Sequence, residues 1–170
     1  MQISYQTEFC AAYRLYRDDW TPEKNREVYG ICASPNGHGH NYAFTTTVKG
    51  AVNTETSMVM DYAALMGIVD AKIVQAVDHL NLNLDIDFLR GIVPTSENLL
   101  IAFWPIIAAE LPDGVEIASL CLQESRDFRC EYFGPVVERG GSDLHFGYFV
   151  QLGRGSDQHV PCRAQGKDYQ

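Results

Sequence analysis

An α+β fold on an antiparallel sheet is predicted by three features of the chain. Residues 3–16 and 41–52 alternate apolar and polar side chains with the period of two of a half-buried strand. Two later stretches carry apolar residues at helical spacing, and strand character returns over residues 115–133. The order is ββααββ, without the alternation of strand and helix that builds a parallel sheet. Two helices on one face of a four-stranded antiparallel sheet are therefore expected. At 170 residues, 46% of them hydrophobic and 21% charged, the chain suffices for one domain with a real core.

Each element has its own signal. In the first strand Phe9, Ala11, Tyr13 and Leu15 share a face. Residues 17–31 are charged and polar, with Asp18, Asp19 and Pro22, and read as a surface connection with room for a short helix. In the second strand Phe44, Thr46 and Val48 alternate with Thr45, Thr47 and Lys49. Asp61 is placed to cap a helix whose stripe is Tyr62, Leu65, Met66, Val69, Ile73, Ala76 and Val77. Residues 80–93, rich in Asn, Asp and Leu, read as a loop. Thr95 or Ser96 then caps a second helix, with Glu97 in its first turn and Leu100, Phe103, Trp104, Ile107 and Leu111 as its stripe. A turn at residues 124–127 joins the last two strands, 115–123 and 128–133, as a hairpin. Domain 1–135 ends there. Residues 136–170 are Gly-rich and polar, a C-terminal extension whose aromatic segment 145–152 reads as an extra strand or as a strap over a neighbouring subunit.

Composition narrows the function. A formal charge of −9, with 13 scattered basic residues, speaks against nucleic acid as partner, because neutralising phosphates needs clustered Lys and Arg. No apolar run reaches the roughly 20 residues of a membrane span, and the N-terminus lacks a basic segment followed by an apolar one, so no membrane association and a cytoplasmic location are expected. Five cysteines, an odd number without a closely spaced pair, suit free thiols in a reducing compartment.

The chemistry concentrates at His38-Gly39-His40. Residues i and i+2 of a strand project to one side, so both imidazoles can reach one ion, and zinc is the natural guest of a site that keeps a position open. Two exposed loop histidines would give the same string. Cys32, Asp78 with His79, and Glu124 lie at element ends, where a thiolate, an imidazole with a carboxylate fixing its tautomer, and an acceptor could converge. The plain alternatives are a packed loop thiol, a charge pair at a helix end and a surface turn residue.

Five ordered motifs then carry a resemblance. Cys32, five residues and His38-Gly39-His40-Asn41-Tyr42 are followed by Met58-Val59-Met60-Asp61-Tyr62, Asp78-His79-Leu80-Asn81-Leu82, Pro94-Thr95-Ser96-Glu97-Asn98 and Glu124-Ser125. Over about residues 3–135 this resembles the 6-pyruvoyl-tetrahydropterin synthase and 6-carboxy-tetrahydropterin synthase family. The resemblance implies a tunnelling fold (T-fold) assembled as a homohexamer, a dimer of trimers, with pockets between subunits. It implies a lyase that takes 7,8-dihydroneopterin triphosphate, a small-molecule pterin, and eliminates triphosphate with zinc as cofactor. Cys32 would be the base, Asp78 and His79 the proton relay, and His38 and His40 two zinc ligands. Glu124 would anchor the pterin, with Thr95, Ser96 and Glu97 lining its pocket. The five residues between Cys32 and His38 favour the pyruvoyl product of tetrahydrobiopterin formation over the carboxy product of queuosine formation.

One position departs from the family pattern. Where it has Phe-x-Ala-x-His-Arg-Leu, this chain has Phe9-Cys10-Ala11-Ala12-Tyr13-Arg14-Leu15, so Tyr13 stands in the place of the third metal ligand. A phenol must lose its proton to ligate. Three outcomes stay open: Tyr13 ligates with altered specificity, two histidines hold the metal weakly, or the site is empty in a non-catalytic pterin-binding paralogue.

Overall fold

The computed structural model describes residues 1–135. The C-terminal extension and its 145–152 segment lie outside the described residues. The sheet has five strands in the order β3, β1, β2, β4, β5, formed by β1 (Gln2–Tyr13), β2 (His38–Gly50), β3 (Leu80–Asn81), β4 (Val115–Gln123) and β5 (Arg129–Tyr132). All neighbours are antiparallel except β3, which runs parallel to β1. The helical elements are α1 (Pro22–Tyr29), α2 (Tyr62–Val69), a π-helical turn (Asp70–Val74), α3 (Gln75–Val77) and α4 (Ser96–Ala108), with 3₁₀ turns at Gly30–Ala33 and Asp87–Leu89.

The sheet therefore has one strand more than the four expected. The addition is β3, two residues long, inside the segment read as a loop. The second strand also starts earlier than expected, at His38, because β1 and β2 pair without interruption from Gln2↔Lys49 to Tyr13↔His38. This carries the His-Gly-His string into the sheet.

The expected alternation holds. Phe9, Ala11 and Tyr13 of β1, with Tyr42, Phe44 and Val48 of β2, are buried on one face. The other face is polar, where Ser4 Oγ meets Thr47 Oγ1 at 2.9 Å. Phe103 of α4 packs edge-on against Phe9 and Phe44, centroids 6.5 and 5.6 Å apart, and fastens that helix to the centre of the sheet.

Both predicted caps are in place. Asp61 Oδ1 accepts from Ala63 N at 2.9 Å, and Thr95, rather than Ser96, caps α4 by accepting from Asn98 N. From α2 to α3 the residues with no exposure are Leu65, Val69, Ile73 and Val77, each four apart. In a straight α-helix a strict spacing of four drifts about 40° per step, because a turn takes 3.6 residues. The π turn at Asp70–Val74 is wider and holds all four on the sheet. Tyr62 and Met66, expected in this stripe, are 62% and 44% exposed instead. Ile73→Ala is expected to lower the unfolding free energy by about 2–5 kcal/mol in urea titrations, while Tyr62→Ala stays within about 0.5 kcal/mol.

Candidate active site

The register of β1 against β2 builds the first cluster. Tyr13 pairs with His38 and Ala11 with His40, and all three polar rings lie on the buried face at one end of the sheet. The Tyr13 ring sits 4.5 Å from that of His38 and 5.8 Å from that of His40, and the two imidazoles stand nearly perpendicular at 5.2 Å. Two glycines permit this approach. Gly37 has φ +66°, and a Cβ there would meet Tyr13 O at 3.0 Å, while a Cβ on Gly39 would meet Ala11 O at 2.8 Å.

Glu124 arrives from the opposite side. The pairings Phe44↔Leu122 and Ala43↔Gln123 place the residue after β4 beside Tyr42, and Tyr13 Oη donates to Glu124 Oε2 at 3.5 Å. Burial first, then the carboxylate of Glu124 and the charge of a Cys32 thiolate, push the Tyr13 hydroxyl well above the usual phenol range. Tyr42, 1% exposed behind it, is raised for the same leading reason. Burial and the neighbouring His40 hold His38 below the usual histidine range, against the opposing pull of Glu124. His38 is thus kept as a neutral lone-pair donor.

Cys32 lies half-buried in the 3₁₀ turn ahead of β2, and its carbonyl accepts from Leu15 N at 2.9 Å. That bond ties the Cys32 turn to the chain two residues past Tyr13, at the end of β1 where the cluster lies. Cys121 and Cys130 are raised by burial, the latter to about 12, which keeps both protonated.

Asp78 and His79 attach to the other edge of β1. Asp78 Oδ1 accepts from Cys10 N at 2.8 Å and its Oδ2 lies 2.8 Å from His79 Nδ1. His79 has φ 59°, a left-handed backbone unusual outside glycine, held by His79 N donating to Cys10 O at 2.6 Å. The imidazole is 81% exposed and turned away from the sheet, with Nδ1 fixed. The Cys10 amide, then His79, hold the Asp78 carboxyl below the usual range. This pair does not join the Tyr13, His38, His40 and Glu124 cluster within one chain.

Of the pocket residues expected on α4, Thr95 is spent on capping and Glu97 is exposed. Ser96 Oγ is buried without a partner among the described residues, an unmet polar group of the kind a ligand satisfies. Sequence reasoning missed Asn83, whose side-chain amide bonds the backbone of Arg14, and only the Asn-rich string after His79 hinted at it.

His38 and His40 fit a divalent cation as two imidazoles from one strand face. In the third place the structure has a protonated phenol engaged by Glu124, and among the described residues no three His, Cys, Asp or Glu side chains lie close enough together to hold a metal ion. Lys49 pairs with Glu116 at the far end of β2, roughly 36 Å along the strand from His38.

Sheet order, register and site define a T-fold protein with its polar cluster at one end of the first hairpin. The chain matches the 6-pyruvoyl tetrahydropterin synthase family over residues 2–135. It is 39% identical over 114 residues to human 6-pyruvoyl tetrahydrobiopterin synthase, covering 67% of this chain and 79% of that one. It is 31% identical over 138 residues to the Drosophila melanogaster protein of the same name, covering 81% and 82%. The solved Caenorhabditis elegans 6-pyruvoyl tetrahydropterin synthase superposes with a TM-score of 0.73 at 29% identity, over 79% of this chain and 95% of that one. This chain belongs to the 6-pyruvoyl tetrahydropterin synthase family.

Tyr13→His is expected to tighten zinc binding at least tenfold in a competition titration, by supplying a neutral donor where a phenol must first ionise. Asp78 gives a pH prediction. Its carboxyl is depressed in the folded chain, so its stabilising effect is whole above the unfolded value of about 4 and is lost as pH falls through the folded value. Acid unfolding followed by circular dichroism should therefore be less steep below about pH 4 in Asp78→Asn than in the parent.

Proposed function

We propose that this chain is a lyase acting on 7,8-dihydroneopterin triphosphate and releasing triphosphate to leave 6-pyruvoyl-tetrahydropterin. The observation that carries the reading is the gathering of the imidazole pair and Glu124 at one end of the sheet, with the Cys32 turn hydrogen-bonded to the same end of β1, in a chain of this family. Glu124 clasps the guanidine-like edge of the pterin through two parallel hydrogen bonds, and Ser96 Oγ finds its missing partner there. The Cys32 thiolate removes a carbon-bound proton of the substrate side chain. Asp78 fixes the Nδ1 side of His79, so the exposed Nε2 passes protons to and from the side-chain oxygens. Loss of the proton on the carbon next to the phosphorylated one expels triphosphate and leaves an enol, which takes up a proton at its terminal carbon to become a methyl ketone. The electrons released when the second carbinol becomes a ketone reduce the pterin ring, so no outside oxidant is needed. A zinc ion held by His38, His40 and the Tyr13 phenolate would supply Lewis acidity to the side-chain hydroxyls.

The outward-facing His79 supports pockets shared between subunits of a homohexamer, in which the dyad of one chain serves its neighbour's Cys32. A second reading, a pterin-binding protein without turnover, draws on the Tyr13 to Glu124 hydrogen bond, which engages both the third donor and the pterin anchor. Triphosphate release from the purified protein, with and without added zinc, separates the two. Mass analysis of the pterin distinguishes a pyruvoyl from a carboxy product. Cys32→Ala is expected to slow release by roughly 10²–10⁴-fold while the oligomer and its metal content stay unchanged. Turnover at the parent rate in that variant would reject the thiolate base.

A further inference from the structure

β3 is only Leu80–Asn81, yet the outer edge of β1 is hydrogen-bonded well past it. Beyond the Ala11↔Leu80 and Ala12↔Asn81 pairs, Leu82 N donates to Ala12 O at 2.8 Å. The next rung is made by a side chain. Asn83 Oδ1 accepts from Arg14 N at 2.8 Å and Asn83 Nδ2 donates to Arg14 O at 3.0 Å, the two bonds a partner strand would make. The amide is itself braced, since Asn83 N donates to Asn81 Oδ1 at 3.0 Å and Asn81 N to Asp85 Oδ2 at 2.8 Å.

Arg14 and Leu15 then reach across to the thiol-bearing turn. Arg14 Nε donates to Ala33 O at 2.8 Å, with the guanidinium 4.5 Å above the Tyr16 ring, and Leu15 N donates to Cys32 O at 2.9 Å. Ala33 is 5% exposed, so its carbonyl finds in Arg14 the partner that water would otherwise be. The carbonyls of two successive residues, Cys32 and Ala33, are thus held by two successive residues of the β1 extension, whose backbone Asn83 fixes.

We infer that Asn83 and Arg14 are positioning residues for Cys32: Asn83 completes the edge of β1 with its side-chain amide, and Arg14 transmits that fixed geometry to the turn that aims the thiol. Neither touches substrate in this account. The inference rests on Cys32 being the proton-abstracting group, and it adds how the proton-abstracting atom is held within reach of its target. The same segment begins with Asp78 and His79, so one stretch, 78–83, sets the relay pair at one end and the thiol turn at the other.

Asn83→Ala and Arg14→Ala are compared with the parent in steady-state triphosphate release, with Asn83→Asp as the variant that keeps the acceptor for Arg14 N–H while it loses the donor to Arg14 O and adds a charge. In Asn83→Ala and Arg14→Ala, kcat is expected to fall at least tenfold with KM within about twofold, because aim is lost and pterin binding is not. Asn83→Asp should recover part of that loss. The rate of iodoacetamide alkylation at Cys32, read by peptide mass, should change at least threefold in the two alanine variants, while Cys10 keeps its parent rate. A kcat within twofold of the parent, or a rise in KM equal to the loss in kcat/KM, would overturn the inference. Should the parent itself release no triphosphate, the lyase reading fails on its own, and unchanged Cys32 alkylation in both alanine variants would then overturn the positioning role.

Discussion

The end of β1 is hydrogen-bonded along both of its edges, and the site follows from that constraint. On the inner edge, pairing with β2 brings Tyr13 opposite His38 and Ala11 opposite His40. On the outer edge, Cys10, Ala12 and Arg14 are met in turn by Asp78, His79, Leu82 and Asn83. A strand held on one edge alone could slip, and a slip of one residue would carry Tyr13 to the opposite face, away from the imidazoles. With both edges engaged, the imidazole pair, the Asp78 and His79 pair and the Cys32 turn are all placed relative to six consecutive residues.

The cluster's chemistry comes from where it sits, at the wet end of an otherwise aromatic core. Phe9 stacks on Tyr42 at 5.0 Å, Tyr42 adjoins Tyr13, and the hydroxyl of Tyr13 reaches Glu124. Polarity thus increases residue by residue along one face, from hydrocarbon to phenol to carboxylate. Burial favours the neutral form of each group it encloses, which leaves His38 with a free lone pair and Tyr13 with its proton. Were Tyr13 to serve as a third donor to a metal ion, the burial that sets it beside the imidazoles would be the same burial that holds its proton.

What the sequence made legible was whatever local periodicity and capping chemistry control. The alternation around Phe44, Thr46 and Val48, the Asp61 and Thr95 caps and the His-Gly-His string all describe short stretches whose geometry depends on their own residues. β3 was hidden because two of its supports are the side chains of Asp78 and Asn83, which in sequence read as helix-end and loop residues. The start of β2 was hidden by Pro35, Asn36 and Gly37, whose turn signal masks the strand that follows at once. The bond from Tyr13 to Glu124 spans 111 positions and exists only through the registers of two strand pairs, so no local pattern announces it.

The π turn at Asp70–Val74 has a consequence for how length is distributed in the chain. A wider turn holds more residues for the same advance along the axis, so this helix accommodates an additional residue without lengthening the path between its ends. Asp70, within that turn, accepts the Tyr5 hydroxyl at 3.0 Å, and Lys72 meets Glu110 at 2.7 Å, so the widened segment is anchored to β1 and to the region just past α4. In evolutionary terms the turn is a place where an insertion or deletion can be absorbed as a change of winding, leaving Asp61 at one end and Asp78 at the other where the sheet requires them.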